Sequence, residues 1–452
     1  MKEFDKPIRL KTYHFFNLGC PKNLVDAEVV AARLESQGWS EAADPREASL
    51  LVITTCAFIS IAEEESVNEI LRVAAHKRDE QILAVLGCLV TREAGKLEEL
   101  LPEVDIFLPV SEMESLPEVA EEYTGEEAVT GPEVDSSVIT AAGRRLFTPS
   151  HLAYLKIAEG CSNHCTYCMI PSIRGELESR DPAAIVREAK ALTAAGIREL
   201  VIIAQDTTAY GADFGEKGRL YKLLEEIADL PGPEWIRLMY MHPAHIDAGQ
   251  VSRLAASGVI IPYLDIPIQH VSDRVLRGMK RGYDKKHLEK VIGTLRANDS
   301  SMILRTTVMT GFPGEEEKDF QELIDFLEKY RFDHVGVFSY SPERGTEAAR
   351  LKPSLQDKTA GARADEVAAL QMDISHERLS LREDQKLTVL VDEILHEAQI
   401  PSPGVWGAGR FYGQAHEIDG VTYLSGRRAE PGSFIEAVVT EIEAYDLFAV
   451  IK

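Results

Sequence analysis

Apolar positions in the first hundred residues fall into short runs. Residues 13–18, 50–54, 81–86 and 105–110 are such runs, and each reads as a buried strand. Helical patterns separate them over 26–37, stopped by Gly38, and over 63–77 and 91–101. Strands alternating with helices predict a parallel sheet, here a domain over 11–125. The stretch 126–146 is acidic and weakly periodic and reads as a linker. A second series follows, with strands near 152–158, 199–205, 236–241, 260–266, 302–310 and 334–340 and helices such as 182–195 and 316–329. Six such units predict an incomplete (β/α)6 barrel over 147–378, with an open doubly wound sheet as the other arrangement. A polar helix is expected over 361–382. Beyond it the pattern changes to short strands at 387–391, 407–417, 421–423, 434–442 and 447–451, separated by Gly, Pro and Asp. That pattern predicts a small antiparallel β-barrel over 383–452.

Composition narrows this picture. The chain has 452 residues, 45% apolar and 27% charged, enough for several domains with their own cores. No run of about 18 apolar residues offers a membrane span, and the first eleven residues lack the apolar stretch of a secretory signal. The expectation is a cytoplasmic protein with no membrane partner. With 74 acidic and 49 basic residues, the net charge is −25. Nucleic acid binding draws on Lys and Arg, so this balance disfavours a nucleic acid substrate and favours a basic partner. From residue 386 onward ten acids face five bases, the opposite of what a barrel made for RNA carries.

The six cysteines stand at 20, 56, 88, 161, 165 and 168, too uneven for a disulfide scaffold. Cys161, Cys165 and Cys168 have the spacing Cys-x3-Cys-x2-Cys on a loop that leaves the first strand of the six-unit series. Three thiolates so placed can wrap one iron–sulfur cubane and leave its fourth iron open. The amino and carboxylate groups of S-adenosylmethionine could chelate that iron, and a reduced cluster could then break the carbon–sulfur bond to give an adenosyl radical. A zinc site is the competing reading. It wants four ligands, and His164 lies between two of the cysteines at a spacing zinc motifs rarely use. Cys20, Cys56 and Cys88 each follow a predicted parallel strand, so all three emerge at one sheet edge, where α/β sheets bind ligands. They read as a second three-ligand cluster, against the alternative of three buried structural thiols.

These residues resemble the radical S-adenosylmethionine superfamily. Tyr167 before the last cysteine fits its pattern, and the resemblance implies a ring near the adenine. Gly311-Phe312-Pro313-Gly314-Glu315 is similar to the glycine-rich segment whose backbone meets the adenine, which makes Gly311 and Gly314 candidate contacts. The whole arrangement, over about 11–452, resembles the methylthiotransferases, which join a three-cysteine domain, a radical barrel and a TRAM β-barrel. The resemblance implies two [4Fe–4S] clusters, the second carrying the sulfur that becomes a methylthio group, and a low-potential electron donor such as a flavodoxin or ferredoxin. One branch modifies adenosine in transfer RNA. The other, the RimO branch, modifies the β-carbon of an aspartate in a basic small-subunit ribosomal protein. Three segments are similar to the second branch: residues 17–26, with Pro21 and Lys22 after the first cysteine, 204–211 and 263–270.

Gln205, Asp206, Thr207, His242, Gln269 and His270 stand after predicted barrel strands, where functional groups collect. They are candidates to touch S-adenosylmethionine or substrate, with helix capping the alternative for Asp206. Arg305 and Thr306 lie inside a strand and are further candidates. Two other classes remain in view: a non-radical iron–sulfur dehydratase and a zinc-stabilised RNA-binding module.

Overall fold

Runs of leucine and β-branched residues build the first layer. In the computed structural model, which describes residues 10–124, 142–256, 258–352 and 357–452, they form a five-stranded parallel sheet. Residues 126–141 of the expected linker lie outside the described residues. The strands are β1 (Thr12–Asn17), β2 (Ser40–Glu41), β3 (Leu50–Thr55), β4 (Ile82–Gly87) and β5 (Ile106–Pro109), in the order β2-β1-β3-β4-β5. Side chains alternate between the faces. Leu50, Val52, Ala84 and Leu86 pack with Val30 and Leu34 of helix Pro21–Ser36. Leu51, Ile53, Leu83 and Val85 pack with Ile70 and Val73 of helix Ser60–Ala74.

Helix bounds shift by a few residues from the sequence pattern, and two of the shifts bear on the first layer. The first helix begins at Pro21, five residues earlier than its apolar periodicity, because proline's fixed φ and missing N–H suit the first helical turn. Lys22 and Asn23 are thereby placed beside Cys20. The helix expected over 91–101 is two pieces, Cys88–Arg92 and Leu97–Leu100, with Gly95 at φ +77° between them.

The second layer contains β6 (Leu152–Lys156), the two-residue pair β7 (Ala158–Glu159) and β8 (Glu178–Ser179), then β9 (Glu199–Ile203), β10 (Trp235–Leu238), β11 (Ile260–Asp265), β12 (Ile303–Thr310) and β13 (His334–Ser339). The main sheet is parallel and runs β6-β9-β10-β11-β12-β13 in chain order, with no pairing between β6 and β13. A doubly wound sheet would reverse its strand order at a switch point; this one is the incomplete barrel. Its outer face packs on helices through residues such as Leu192, Leu223 and Leu295. Its inner face carries Tyr154, Trp235 and Tyr263, which meet Val25 of the first layer and Leu390 and Ala415 of the third.

The third layer is a closed barrel of β14 (Lys386–Ile394), β15 (Val405–Phe411), β16 (Thr422–Gly426), β17 (Phe434–Ile442) and β18 (Leu447–Ile451), ordered β14-β15-β16-β18-β17. Its pairs are antiparallel apart from β16–β18, which is parallel. The strand expected over 407–417 stops at Phe411. Residues 412–419 instead close the inner face of the six-stranded sheet. Arg237 donates to the Tyr412 carbonyl at 2.9 Å, and the Tyr263 hydroxyl to Asp419 at 2.7 Å. Among the described residues no helix is long and apolar enough to cross a membrane.

Candidate functional site

All six cysteines line one cavity of about 360 Å³ between the first two layers. Parallel strand ends put them there: Cys20 follows β1, Cys56 follows β3 and Cys88 follows β4, while Cys161, Cys165 and Cys168 sit on the loop closed by the β7–β8 pair. Glycines steer three of the thiols. Gly19, Gly87 and Gly160, each just before a cysteine, hold φ of +96°, +101° and +70°, a region that side chains rarely adopt. At Gly160 an added Cβ would lie 2.0 Å from the Glu176 carbonyl oxygen. Glycine before cysteine therefore turns the chain, besides leaving room near the backbone.

The donor set fits iron–sulfur clusters better than zinc. Two thiolates on one zinc ion lie within about 4.6 Å of each other. Among the described residues, the group of His, Cys, Asp and Glu ligand atoms that all fall within 4.8 Å is Asp206, His242 and His245, and neither cysteine triad is so tight. The ring of His164 turns outward to Glu176 at 3.6 Å. N–H groups converge on the sulfurs instead. Asn163 Nδ2 is 3.4 Å from Cys161 Sγ, the Ile170 amide 3.4 Å from Cys168 Sγ, Arg281 Nη1 3.5 Å from Cys165 Sγ and Arg174 Nη2 3.5 Å from Cys88 Sγ. Donors of this kind favour thiolate ligands and tune a cluster's potential. Burial pushes the Cys88 thiol up to about 11 and the Cys168 thiol up to about 12, so both stay protonated at neutral pH until a metal supplies positive charge.

The sequence candidates separate into three groups. Tyr167, Gln205, His242 and Gln269 line the cavity. The Gln205 and Gln269 Oε1 atoms and His242 Nε2 are buried without a hydrogen-bond partner, so each is open to a polar ligand or an ordered water. Gln269 also holds φ +66°; such strain costs about 1–3 kcal/mol and persists where the surroundings impose it. A second group acts one step back. Asp206 caps residues 207–209 by accepting from Thr208 and Ala209 amides, as the capping alternative has it, and its other oxygen accepts from Asn163 of the cysteine loop at 2.7 Å. Thr207 donates to the Met239 carbonyl at 2.8 Å. His270 accepts from the Ser272 amide at 3.0 Å, and Thr306 donates to the Ile266 carbonyl at 2.7 Å. Gly311 holds φ +79° and donates to Glu315 at 2.7 Å. Neither Gly311 nor Gly314 lines the cavity; between them, Phe312 meets Tyr167 edge-on with centroids 6.5 Å apart. Arg305 forms the third group. It pairs with Asp265 at 3.0 Å and lines a second cavity of about 340 Å³ with Pro21, Tyr240 and Glu417.

Sequence reasoning missed Arg174, Tyr240 and Arg281. Arg174 follows the cysteine loop and crosses to the first layer, bonding Asn23, Cys88 and Asp26. Arg281 donates to the Pro267 carbonyl at 2.6 Å and to Tyr283 at 2.9 Å, which aims it at Cys165. No spacing rule links residues more than a hundred positions apart. Tyr240 carries a β-strand end into φ +60°, which nothing in its sequence signals.

Comparison with known proteins agrees with this architecture. Residues 155–327 match the model of the radical SAM superfamily, 12–109 that of uncharacterized protein family UPF0004, and 385–451 that of the TRAM domain. The chain is 41% identical to the ribosomal protein uS12 methylthiotransferase RimO of Anaeromyxobacter sp. (strain Fw109-5), covering 96% of this chain and 92% of that one. It is 41% identical to the protein of the same name from Syntrophus aciditrophicus, over 98% of each. To the one from Acetivibrio thermocellus it is 38% identical, over 97% of each. Among solved structures, the radical S-adenosylmethionine methyltransferase TsrM from Kitasatospora setae shares the fold with a TM-score of 0.54 at 16% identity, over 73% of this chain and 75% of that one.

Proposed function

Because the chain belongs to the radical S-adenosylmethionine methylthiotransferases of the ribosomal protein uS12 (RimO) family, we propose that it adds a methylthio group to the β-carbon of an aspartate in uS12. The observation that carries this reading is the meeting of both cysteine triads at one cavity. Cys161, Cys165 and Cys168 would hold one [4Fe–4S] cluster and Cys20, Cys56 and Cys88 a second; such clusters would supply the electron that opens S-adenosylmethionine and the sulfur that is transferred.

The chain's own residues position and shield. Arg281 and Arg174 each present an N–H to a ligand sulfur, one in each triad. Gln205, Gln269 and His242 offer unpartnered polar atoms to the amino acid and adenosine portions of S-adenosylmethionine. Tyr167 and Met241 line the wall and exclude water from a reactive centre. Gly311 and Gly314 act through Phe312, which backs Tyr167. Residues 11–125 would form the sulfur-donating unit, 147–378 the radical core and 383–452 the docking barrel, with 126–146 the linker. A low-potential donor such as a flavodoxin or ferredoxin delivers electrons in the cytoplasm, and nucleic acid is not the substrate.

The test is an anaerobic assay of reconstituted protein with uS12 and transfer RNA under identical reducing conditions. A mass gain of one methylthio group on a uS12 aspartate, with none on transfer RNA, is expected. Modified transfer RNA with untouched uS12 would move the chain to the other branch, and failure of reduced protein to split S-adenosylmethionine would favour a dehydratase. Changing Cys161, Cys165 and Cys168 to Ala should abolish that splitting and lower iron by about half, one of two clusters being lost. Changing Cys20, Cys56 and Cys88 should preserve splitting and abolish methylthiolation.

A further inference from the structure

Lys22 is a buried amine that touches no carboxylate, Asp265 and Glu159 acting on it only from farther off. It lies in the first turn of helix Pro21–Ser36, two residues after Cys20. It is 7% exposed, and its ammonium sits 3.1 Å from the centre of the Tyr240 ring. Among the described residues its ammonium makes no hydrogen bond and no ion pair. Its neighbours differ. Lys156 and Arg174 share Asp26 and Glu159. Arg305 has Asp265. Lysine is rarely buried without a partner, because an unpaired buried charge is costly. The face of Tyr240 offsets part of that cost and leaves the N–H donors unused.

We propose that Lys22 receives the side-chain carboxylate of the substrate aspartate and so selects an acidic residue for modification; this rests on the uS12 reading above. Lys22 lines the cavity with Cys20, Cys56 and Cys88. An aspartate carboxylate paired with it holds the β-carbon one bond from the anchored group, beside the triad assigned to sulfur transfer. Access is consistent. Tyr240 is a wall of both this cavity and the second one, which Pro21 and the exposed acid Glu417 of the C-terminal barrel also line. A basic segment passing Glu417 brings a side chain toward the Tyr240 wall and Lys22. Tyr240 is fixed in place by its left-handed backbone and by its amide, which donates to Asp265 at 3.1 Å.

The experiment uses reconstituted holoenzyme carrying Lys22→Met or Lys22→Gln, with iron content and Mössbauer spectra confirming both clusters. Each protein is offered uS12 with its target aspartate and uS12 with asparagine at that position. The wild type should prefer aspartate by on the order of 100-fold in kcat/KM. Both variants should bring that ratio near one, mainly by raising KM for the aspartate substrate. An undiminished preference in variants with intact clusters would overturn the assignment. So would loss of the N-terminal cluster in both variants, which would make Lys22 a support for the cysteines. If the wild type modifies neither form of uS12, the uS12 reading itself fails, and the ligand named for Lys22 falls with it.

Discussion

At the scale of single residues, the site depends on backbone turns and on donors aimed at sulfur. Gly160→Ala would drive a Cβ against the Glu176 carbonyl, 2.0 Å away and part of the backbone. The cysteine loop would have to move. The expected result is iron falling toward half, as one of two clusters is lost, with the N-terminal cluster's spectrum retained; iron analysis with electron paramagnetic resonance checks it. Arg174→Gln removes a charged donor 3.5 Å from Cys88 Sγ. Donors to ligand sulfur raise a cluster's potential, so a titration of the Cys161/Cys165/Cys168→Ala background should find the remaining cluster harder to reduce in the Arg174→Gln variant. The convergence of the cysteines on one cavity was legible from sequence, because Cys20, Cys56 and Cys88 each follow an apolar run and the other three crowd one loop. Arg174, Arg281 and Tyr240 were not. Their roles arise from contacts such as Arg281 to Cys165, 116 positions apart, and from one strained φ. Lys22 was visible only as a feature of one branch, and its burial against Tyr240 shows only in three dimensions.

At the scale of elements, the sequence gives strands better than their ends. Every strand of the six-membered sheet lies where its apolar run predicts, because burial of one face writes the pattern directly. Strand β15 stops six residues early for a reason outside its own sequence. Residues 412–419 satisfy buried groups of another layer, Arg237 and Tyr263 among them. A buried ion network secures the same interface. Glu199 of β9 meets Arg237 Nε and Arg410 Nη1, each at 2.7 Å, and Arg410 is bidentate to Asp392 at 2.7 and 2.9 Å. Removing one partner of a buried pair leaves an uncompensated charge, so Glu199→Gln should cost about 3–5 kcal/mol, read by denaturant unfolding. The pH dependence has a definite sign. Burial alone would raise the Asp392 and Glu199 carboxyls, but Arg410, joined by His151 at Asp392 and by Arg237 at Glu199, more than offsets it and holds both below the usual carboxylate range. Groups depressed in the folded state stabilise it above their unfolded pKa, near 4, and lose that contribution as pH falls below it. The wild type should therefore weaken steeply in acid, and Glu199→Gln should show a shallower acid limb.

At the scale of the whole molecule, the net charge of −25 is spent unevenly. In the C-terminal barrel, Asp392 and Asp419 are engaged within the interfaces by Arg410 and Arg305. Asp446 accepts the Val421 amide at 2.7 Å and holds a turn. The excess that meets solvent includes Glu436, Glu441 and Glu443 on β17 and the turn after it. Glu436 is partly neutralised by Lys386 at 3.2 Å. On the proposed function, an acidic face of this kind would steer a basic ribosomal protein toward the site, and such steering acts on association rate and fades as salt shortens the screening length to about 8 Å. Reversing Glu436, Glu441 and Glu443 to Lys, with Asp446 left in place, should slow association with uS12 by roughly ten-fold at low salt. It should also flatten the salt dependence, because the favourable field is what salt removes. Iron content should not change, since among the described residues no barrel side chain lines the cysteine cavity. Stopped-flow association at two ionic strengths measures the effect. Equal rates for the reversed and native barrels would mean that the acids are only a solvated surface and that uS12 is oriented by the first two layers. Tighter RNA binding by the reversed barrel is expected in either case, because the new lysines meet phosphates.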